Sequence, residues 1–415
     1  MRASDKHFRE ALKLIPWGTQ TNAKRPYPDF DETMPKYIVR GKGCRIWDMD
    51  GREFIDYRLA LGPVTLGYCH EEVDAAVRAQ MEKGVLFSMA SPLELEVATL
   101  LHEVIPNAQM VRFMKTGEDA NLSNVRIARA HTKRDMIITS GYHGYPDWFA
   151  VEESPDNGVP NMLRDYVKVI PWGNLEEADR LIRTYSERIA CVISIPYDMN
   201  EDISGTYIKH LRKLTQEHGI LLILDEVWTG FRLALGGAQE FFGVDADLAS
   251  YAKAMANGYP LSAYVGKAEY LSELNHFKMT TTYAGETMSL AAALATVNIM
   301  RREPVHKHLW AMGKRLMDGF NVIAKDLGVE GYAAGLPVSS FLKFNTPDPQ
   351  FNSRMEYLWF RELFREGIFV ILRWFICYAH KEPDIDETID RARRALKRAL
   401  DAEPKERNSV KPMYW

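Results

Sequence analysis

Between residues 65 and 290, short apolar runs alternate with stretches of helical period, and few architectures can accommodate that alternation. The strand-like runs fall at 111–114, 136–139, 191–195, 220–224 and 248–251, with helical stretches between most of them. Two helices precede the series, one over 70–83 closed by Gly84 and one over 93–104 stopped by Pro106. Buried strands joined by helices predict an α/β fold with a mostly parallel sheet covered on both faces. We therefore expect a large α/β domain over 65–300. A smaller α+β domain is expected over 301–415, with helices at 305–327, 351–366 and 385–402 and a strand near 338–344. Residues 1–64 read as an arm and a hairpin that contribute to the small domain. The arm begins with an amphipathic stretch at 7–15 and continues in the Pro- and Asp-rich KRPYPDFDETMPKY. The hairpin is CRIWDMDGREFIDY, turning on two residues at Asp50-Gly51. The tail EPKERNSVKPMYW reads as an extension of the small domain.

Composition removes several function classes. With 52 Lys+Arg against 56 Asp+Glu the formal charge is -4, so no basic field exists to attract nucleic acid or an anionic membrane. The four cysteines, at 44, 69, 191 and 377, form no CxxC pair, so we expect no metal site and no disulfide framework. No run approaches about 18 apolar residues and the N-terminal segment lacks the apolar core of a leader, so the expected location is cytoplasmic.

Ligands of an open parallel sheet bind beyond the carboxyl ends of its strands. Three segments place chemistry there. In GILLILDEVWTGFR, Asp225 and Glu226 end five consecutive apolar residues; a strand-end carboxylate can also simply cap a helix. In DADLASYAKAMANGYPLSA, Lys253 follows an apolar run and precedes the Gly258-Tyr259-Pro260 turn, where burial would lower its pKa and favour attack on a carbonyl. In RFMKTGEDANLSNVRIAR, a strand runs through Thr116-Gly117 into a helix whose first N–H groups suit a phosphate. Each signal is weak alone. Together, a phosphate cradle, a buried carboxylate and an imine-forming lysine are what pyridoxal phosphate requires, and SGYHGYPDW adds Tyr142 and His143 just after a strand.

At this point the chain resembles the class III pyridoxal-phosphate aminotransferases, in the branch that includes glutamate-1-semialdehyde aminomutase. The resemblance runs from GCRIWDMDGREFIDY through LGPVTLGY, FMKTGEDANLSNVRIAR, GYHG, LTQEHGILLILDEVWTGFR and YAKAMANGYPLSA to GIFV…YAH. It implies the type I, aspartate aminotransferase-like fold with a seven-stranded sheet in the large domain, and a homodimer with shared active sites. Residue by residue, it makes Lys253 the catalytic, internal-aldimine lysine and Asp225 the partner of the pyridine nitrogen. Thr116, Gly117 and Glu118 become the phosphate cup, Tyr142 the stacking aromatic with His143 beside it, and Thr282 of MTTTYAGE the contact to the neighbouring subunit's phosphate.

Departures from the family pattern bear on substrate. Ile195-Pro196 stands where many members have Glu-Pro, Gly285-Glu286-Thr287 replaces Gly-Asn-Pro, and Ala256-Asn257 replaces glycines. Acids are dense in two loops, Asp147, Glu152, Glu153 and Asp156 in one and Asp198, Glu201 and Asp202 in the other, which would favour a cation. Trp17, Tyr27, Trp148, Trp172 and Trp374 are candidate platforms, and Arg373 a candidate anion contact. GTQTNAKRP and AMANGYP resemble family members that act on sugars. The expected activity is amino transfer from an amino-acid donor to an oxo group of an aminoglycoside-type sugar, through Lys253 and pyridoxamine phosphate, in antibiotic biosynthesis. The alternatives are epimerisation or dehydration of such a sugar, or a glutamate-1-semialdehyde-type aminomutase.

Overall fold

The computed structural model describes the chain except residues 1, 28, 29, 31, 152–156 and 407–415. It divides into two compact units, one of Gly62–Val64 and Glu71–His306, the other of Met1–Leu61, Thr65–His70 and Lys307–Trp415.

In the smaller unit, helix α1 (Ala3–Leu14) precedes strands β1 (Ile38–Lys42), β2 (Arg45–Asp48) and β3 (Glu53–Asp56). The hairpin turn differs from the expected two-residue form. Asp48 N–H bonds to Arg52 O at 3.0 Å, so three residues intervene, and Gly51 takes φ +83° at the last of them. The Asp48 carboxylate accepts from the N–H groups of Asp50 and Arg52 and holds this wider turn.

The larger unit contains α2 (Glu71–Met81), α3 (Pro92–Val104), β4 (Met110–Met114), α4 (Gly117–Thr132), β5 (Met136–Ser140), β6 (Val167–Val169), α5 (Leu175–Tyr185), β7 (Ile189–Ser194), α6 (Thr206–Glu217), β8 (Leu221–Glu226), α7 (Ala238–Phe242), β9 (Leu248–Tyr251), β10 (Ser262–Gly266), α8 (Ala268–Leu271) and α9 (Thr287–Arg302). Its seven strands form one sheet in the order β4-β10-β9-β8-β7-β5-β6, in which only β10 runs against its neighbours. Every residue of β5, β7, β8 and β9 is buried, which is why these strands read as short, mostly apolar runs without alternation. Val125, Ile127 and Ala128 of α4 close over Ile137, Ile193, Ile223 and Leu248 of the sheet, each aliphatic worth about 1.5–3 kcal/mol on burial.

The chain then returns to the smaller unit with α10 (Val305–Asp326), whose first two residues still belong to the larger, followed by β11 (Gly331–Leu336), β12 (Ser339–Phe344), α11 (Pro349–Arg365), β13 (Ile368–Phe369), β14 (Trp374–Phe375) and α12 (Glu382–Glu406). β13 adds parallel to β3, giving a sheet β1-β2-β3-β13, and β14 joins a second sheet β11-β12-β14. Trp374, a candidate platform by sequence, is fully buried here; its ring packs on Phe320 at 4.7 Å and Trp359 at 5.6 Å, so it is core. The tail expected as an extension begins inside α12, and its part from 407 onward lies outside the described residues. Among the described residues no helix is long and apolar enough to cross a membrane.

Candidate active site

The register of the large sheet sets the site. Met114 pairs with Ser262, Tyr251 with Ala263 and with Glu226, and Ser194 with Leu224 and with Ser140, so β4, β9, β8, β7 and β5 all end along one edge. Off that edge leave Thr116, Lys253, the Gly141–Tyr142–His143 turn and Ile195. Asp225 and Glu226 are the last two residues of β8.

Successive side chains of a strand point to opposite faces, and the two carboxylates divide accordingly. Asp225 is 3% exposed and accepts three hydrogen bonds: Oδ2 from His143 Nδ1 at 2.7 Å and from Asn121 Nδ2 at 2.8 Å, and Oδ1 from Val227 N–H at 3.0 Å. Glu226 is fully buried and caps α7, accepting from Ala238 and Gln239 N–H at 2.8 Å and from the Thr229 hydroxyl at 2.5 Å. The helix-capping role that either acid could have filled belongs to Glu226.

Burial pushes the Glu226 carboxyl up to about 7, although the Thr229 hydroxyl and the two N–H groups favour its anion. Between about 4.5 and about 7 the folded protein then binds a proton that the unfolded chain has lost, so stability contributed below that window disappears as pH rises through it. Relative to Glu226→Gln, the wild-type melting temperature should fall as pH is raised across the window. Thermal melts of both proteins that stay a fixed interval apart at every pH would show that Glu226 titrates ordinarily.

Helix α4 begins at the same edge of the sheet. Thr116 caps it, its hydroxyl accepting from Asp119 N–H at 3.3 Å while Asp119 Oδ2 accepts from Thr116 N–H at 3.0 Å. Gly117 and Glu118 follow as its first two residues, whose N–H groups an α-helix leaves without intrahelical partners. A Cβ on Gly117 would stand 2.7 Å from Val227 Cγ2, so only glycine lets this turn approach the end of β8. One turn into α4 lies Asn121, buried against Asp225; the sequence reading missed it. Its signal was the pair Asn121 and Asn124, three residues apart on a helix face otherwise apolar, with Asn124 donating to Ser250 Oγ at 2.9 Å.

Lys253 begins a single helical turn, Lys253–Ala256, and takes φ +42°, a left-handed conformation that a residue with a side chain adopts at a cost of about 1–3 kcal/mol. Its side chain is half-buried. The His143 ring is fixed from two sides, by Asp225 and by Phe149 edge-on at 5.5 Å. The neighbouring Trp148 lies under the Arg129 guanidinium at 3.8 Å and is half-buried in that stack. Tyr142 is 75% exposed in this chain, and Thr282 is exposed in the turn before α9.

These residues fit pyridoxal phosphate. His143 Nε2 and Asn121 Oδ1 are buried without a hydrogen bond among the described residues, which marks the surroundings of Asp225 as built for a further polar group. The carboxylate is oriented by three donors, and the Gly117 turn is open only because it lacks a Cβ. No group of three or more metal-ligating side chains occurs among the described residues.

The substrate candidates separate. Asp147 is exposed and Asp198 half-buried, its Oδ1 accepting from Met199 N–H at 2.7 Å. Asp202 is engaged by Ser204, N–H at 2.9 Å and hydroxyl at 2.5 Å, while Glu152, Glu153 and Asp156 lie outside the described residues. Trp172 donates to Ile195 O at 3.0 Å and packs edge-on to Tyr197 and Tyr207. Ile195 is buried against Gly141, where a Cβ would stand 2.5 Å from its Cγ1, so apolar packing occupies the position just beyond the end of β7. Trp17, Tyr27 and Arg373 belong to the smaller unit, Trp17 being 46% exposed.

The family model described as Aminotransferase class-III matches residues 27–331. Among curated proteins, the glutamate-1-semialdehyde 2,1-aminomutase of Sulfurihydrogenibium azorense is 33% identical over 397 residues, covering 88% of this chain and 92% of that protein. The 3-aminobutyryl-CoA aminotransferase of Cloacimonas acidaminovorans is 31% identical, with 94% and 95% covered. Among solved structures, the FumI protein of Sphingopyxis sp. MTA144 in its PLP internal aldimine form superposes with a TM-score of 0.89 at 27% identity, over 99% of this chain and 98% of that one.

Proposed function

The chain belongs to the class III aminotransferase family, and from that premise we propose that it moves an amino group from an amino-acid donor to an oxo compound whose aminated form is a cation. It is a pyridoxal-phosphate-dependent enzyme. The observation that carries the reading is the placement of Lys253, Asp225 and the start of α4 along one sheet edge.

When bound, pyridoxal 5'-phosphate supplies a carbonyl that takes up amines and a protonated pyridine ring that withdraws electrons. The remaining work falls to the chain. Asp225, held by His143, Asn121 and Val227, keeps a proton on the ring nitrogen through its negative charge. The N–H groups of Gly117 and Glu118 and the Thr116 hydroxyl bind the phosphate. Lys253 Nζ would hold the carbonyl of the bound group and, once released by an incoming amine, would serve as the base that takes a proton from the substrate carbon and the acid that returns it on the far side of the nitrogen. Tyr142 would cover one face of the bound ring, and Thr282 would reach the phosphate held by a second copy.

A homodimer with shared sites is supported by a groove of about 1000 Å³ between α2, α3 and α9, lined by Ala76, Ala79, Phe87, Leu93, Ala291 and Leu294. Phe87 in that lining and Leu95 of α3 are exposed at 47% and 72%, apolar side chains that a second copy would cover.

Support for an amino sugar as the cation rests on Asp147 and Asp198. The names of the relatives speak for other substrates, and the 33% identity to an aminomutase favours a second reading, intramolecular exchange on a glutamate-1-semialdehyde-type compound. One experiment separates them: the visible spectrum of the purified holoprotein before and after adding amino sugars, β-amino acids and glutamate-1-semialdehyde. The expected result is loss of the visible band with an amino sugar and release of its oxo form. A response to β-amino acids alone would replace the amino-sugar reading. Conversion of glutamate-1-semialdehyde without an external oxo acceptor would establish the mutase.

A further inference from the structure

We infer that the ion pair Lys115–Glu286 is a positioning device that holds the phosphate-binding turn in place, an inference resting on the cofactor reading above. Lys115 lies between the last residue of β4 and Thr116, the cap of α4. Its ammonium donates to Glu286 Oε2 at 2.9 Å and to Pro260 O at 3.1 Å, and the side chains of Lys115 and Glu286 are 17% and 11% exposed. A single cation therefore ties together three segments distant in sequence: the turn that carries Thr116, Gly117 and Glu118, the Gly258-Tyr259-Pro260 turn that follows Lys253, and the residues that carry Thr282 into α9.

The anion of the pair is itself fixed. Glu286 caps α9, Oε1 accepting from Met288 N–H at 2.7 Å and Oε2 from Ser289 N–H at 3.2 Å and the Ser289 hydroxyl at 2.6 Å. Burial alone would push its carboxyl up, but the Ser289 and Lys115 contacts outweigh that and keep it below the ordinary range. Neither helix depends on Lys115 for its cap, since Thr116 and Asp119 cap α4 and Glu286 caps α9 without it. What Lys115 adds is the fixed distance between these ends. Because Glu286 neutralises it at contact range, the ammonium acts on the phosphate turn through geometry and not as a spare positive charge.

The test measures binding, not turnover. Lys115→Met, Lys115→Arg and Glu286→Gln are compared with wild type by equilibrium dialysis against pyridoxal 5'-phosphate and against pyridoxal, which lacks the phosphate, with thermal melts of each apoprotein to confirm folding. Lys115→Met should weaken pyridoxal 5'-phosphate by about tenfold, the scale of a lost charge-assisted hydrogen bond. It should leave pyridoxal within about twofold, Lys115→Arg should restore wild-type binding, and Glu286→Gln should weaken the phosphate form in the same direction. A general loss of structure would lower both ligands together and overturns the inference. Tighter pyridoxal 5'-phosphate binding by Glu286→Gln also overturns it, since freeing the ammonium would then act by charge. Should wild type itself fail to bind pyridoxal 5'-phosphate, the cofactor reading fails and the inference falls with it.

Discussion

Replacing Lys253 by alanine should lower amino transfer by about 10²–10⁴-fold or more, because the substitution removes both the group that holds the carbonyl and the base that moves the proton. The fold should survive. Alanine meets the same left-handed backbone at 253, and the flanking Ala252 and Ala254 are already buried core. Cofactor should stay bound through Asp225 and the α4 turn, with the visible band of lysine attachment gone. Turnover kinetics and an absorbance spectrum of the same preparation check both halves. Turnover near the wild-type level would remove Lys253 from the mechanism.

Asp225→Asn should cost activity by about 10²-fold or more and also stability, for two separable reasons. A neutral amide cannot hold a proton on the ring nitrogen. It is also a poor hydrogen-bond substitute here: His143 and Asn121 both donate to Oδ2 and Val227 donates to Oδ1, so one end of the amide meets a donor with its own N–H groups. That mismatch is worth about 1–3 kcal/mol and should appear as a lower melting temperature in the apoprotein. An unaltered rate in a variant that melts earlier would mean that Asp225 organises the core without tuning the cofactor.

The legible parts of this chain were those in which local pattern and buried environment agree. β8 and β9 show as apolar runs because both faces are covered, and their ends show because Asp225, Glu226 and Lys253 break the runs. β6 did not show: it is a three-residue edge strand, Val-Lys-Val, whose middle residue is only partly covered. β10, Ser-Ala-Tyr-Val-Gly, offers only three apolar residues between Ser262 and Gly266, and it is a strand because β4 and β9 pair with it on both sides. Alternation could say that Asp225 and Glu226 face opposite ways, but which one faces the site depends on α7, which lies after the loop. The Lys115–Glu286 pair leaves no local trace, since its members meet only after the whole sheet has formed. Trp374 failed as a platform because an aromatic beside an arginine looks the same whether it lines a site or fills a core.

The two units also differ in how the chain supplies them, and this sets an order of events during synthesis. The larger is nearly one continuous stretch ending at His306, so its sheet, phosphate turn and Lys253 can assemble as soon as that stretch has left the ribosome. The smaller begins with β1, β2 and β3 but receives β13, the parallel neighbour of β3, only after the whole of the larger unit has been made. Until then the backbone edge at Ile55 and Asp56 is open, and its apolar side chains lack a cover. A nascent chain therefore carries a finished turn at the start of α4 and an unfinished sheet at the same time. Substitutions that slow the docking of β13 should show first as lost yield, with little change in the chemistry of the molecules that mature.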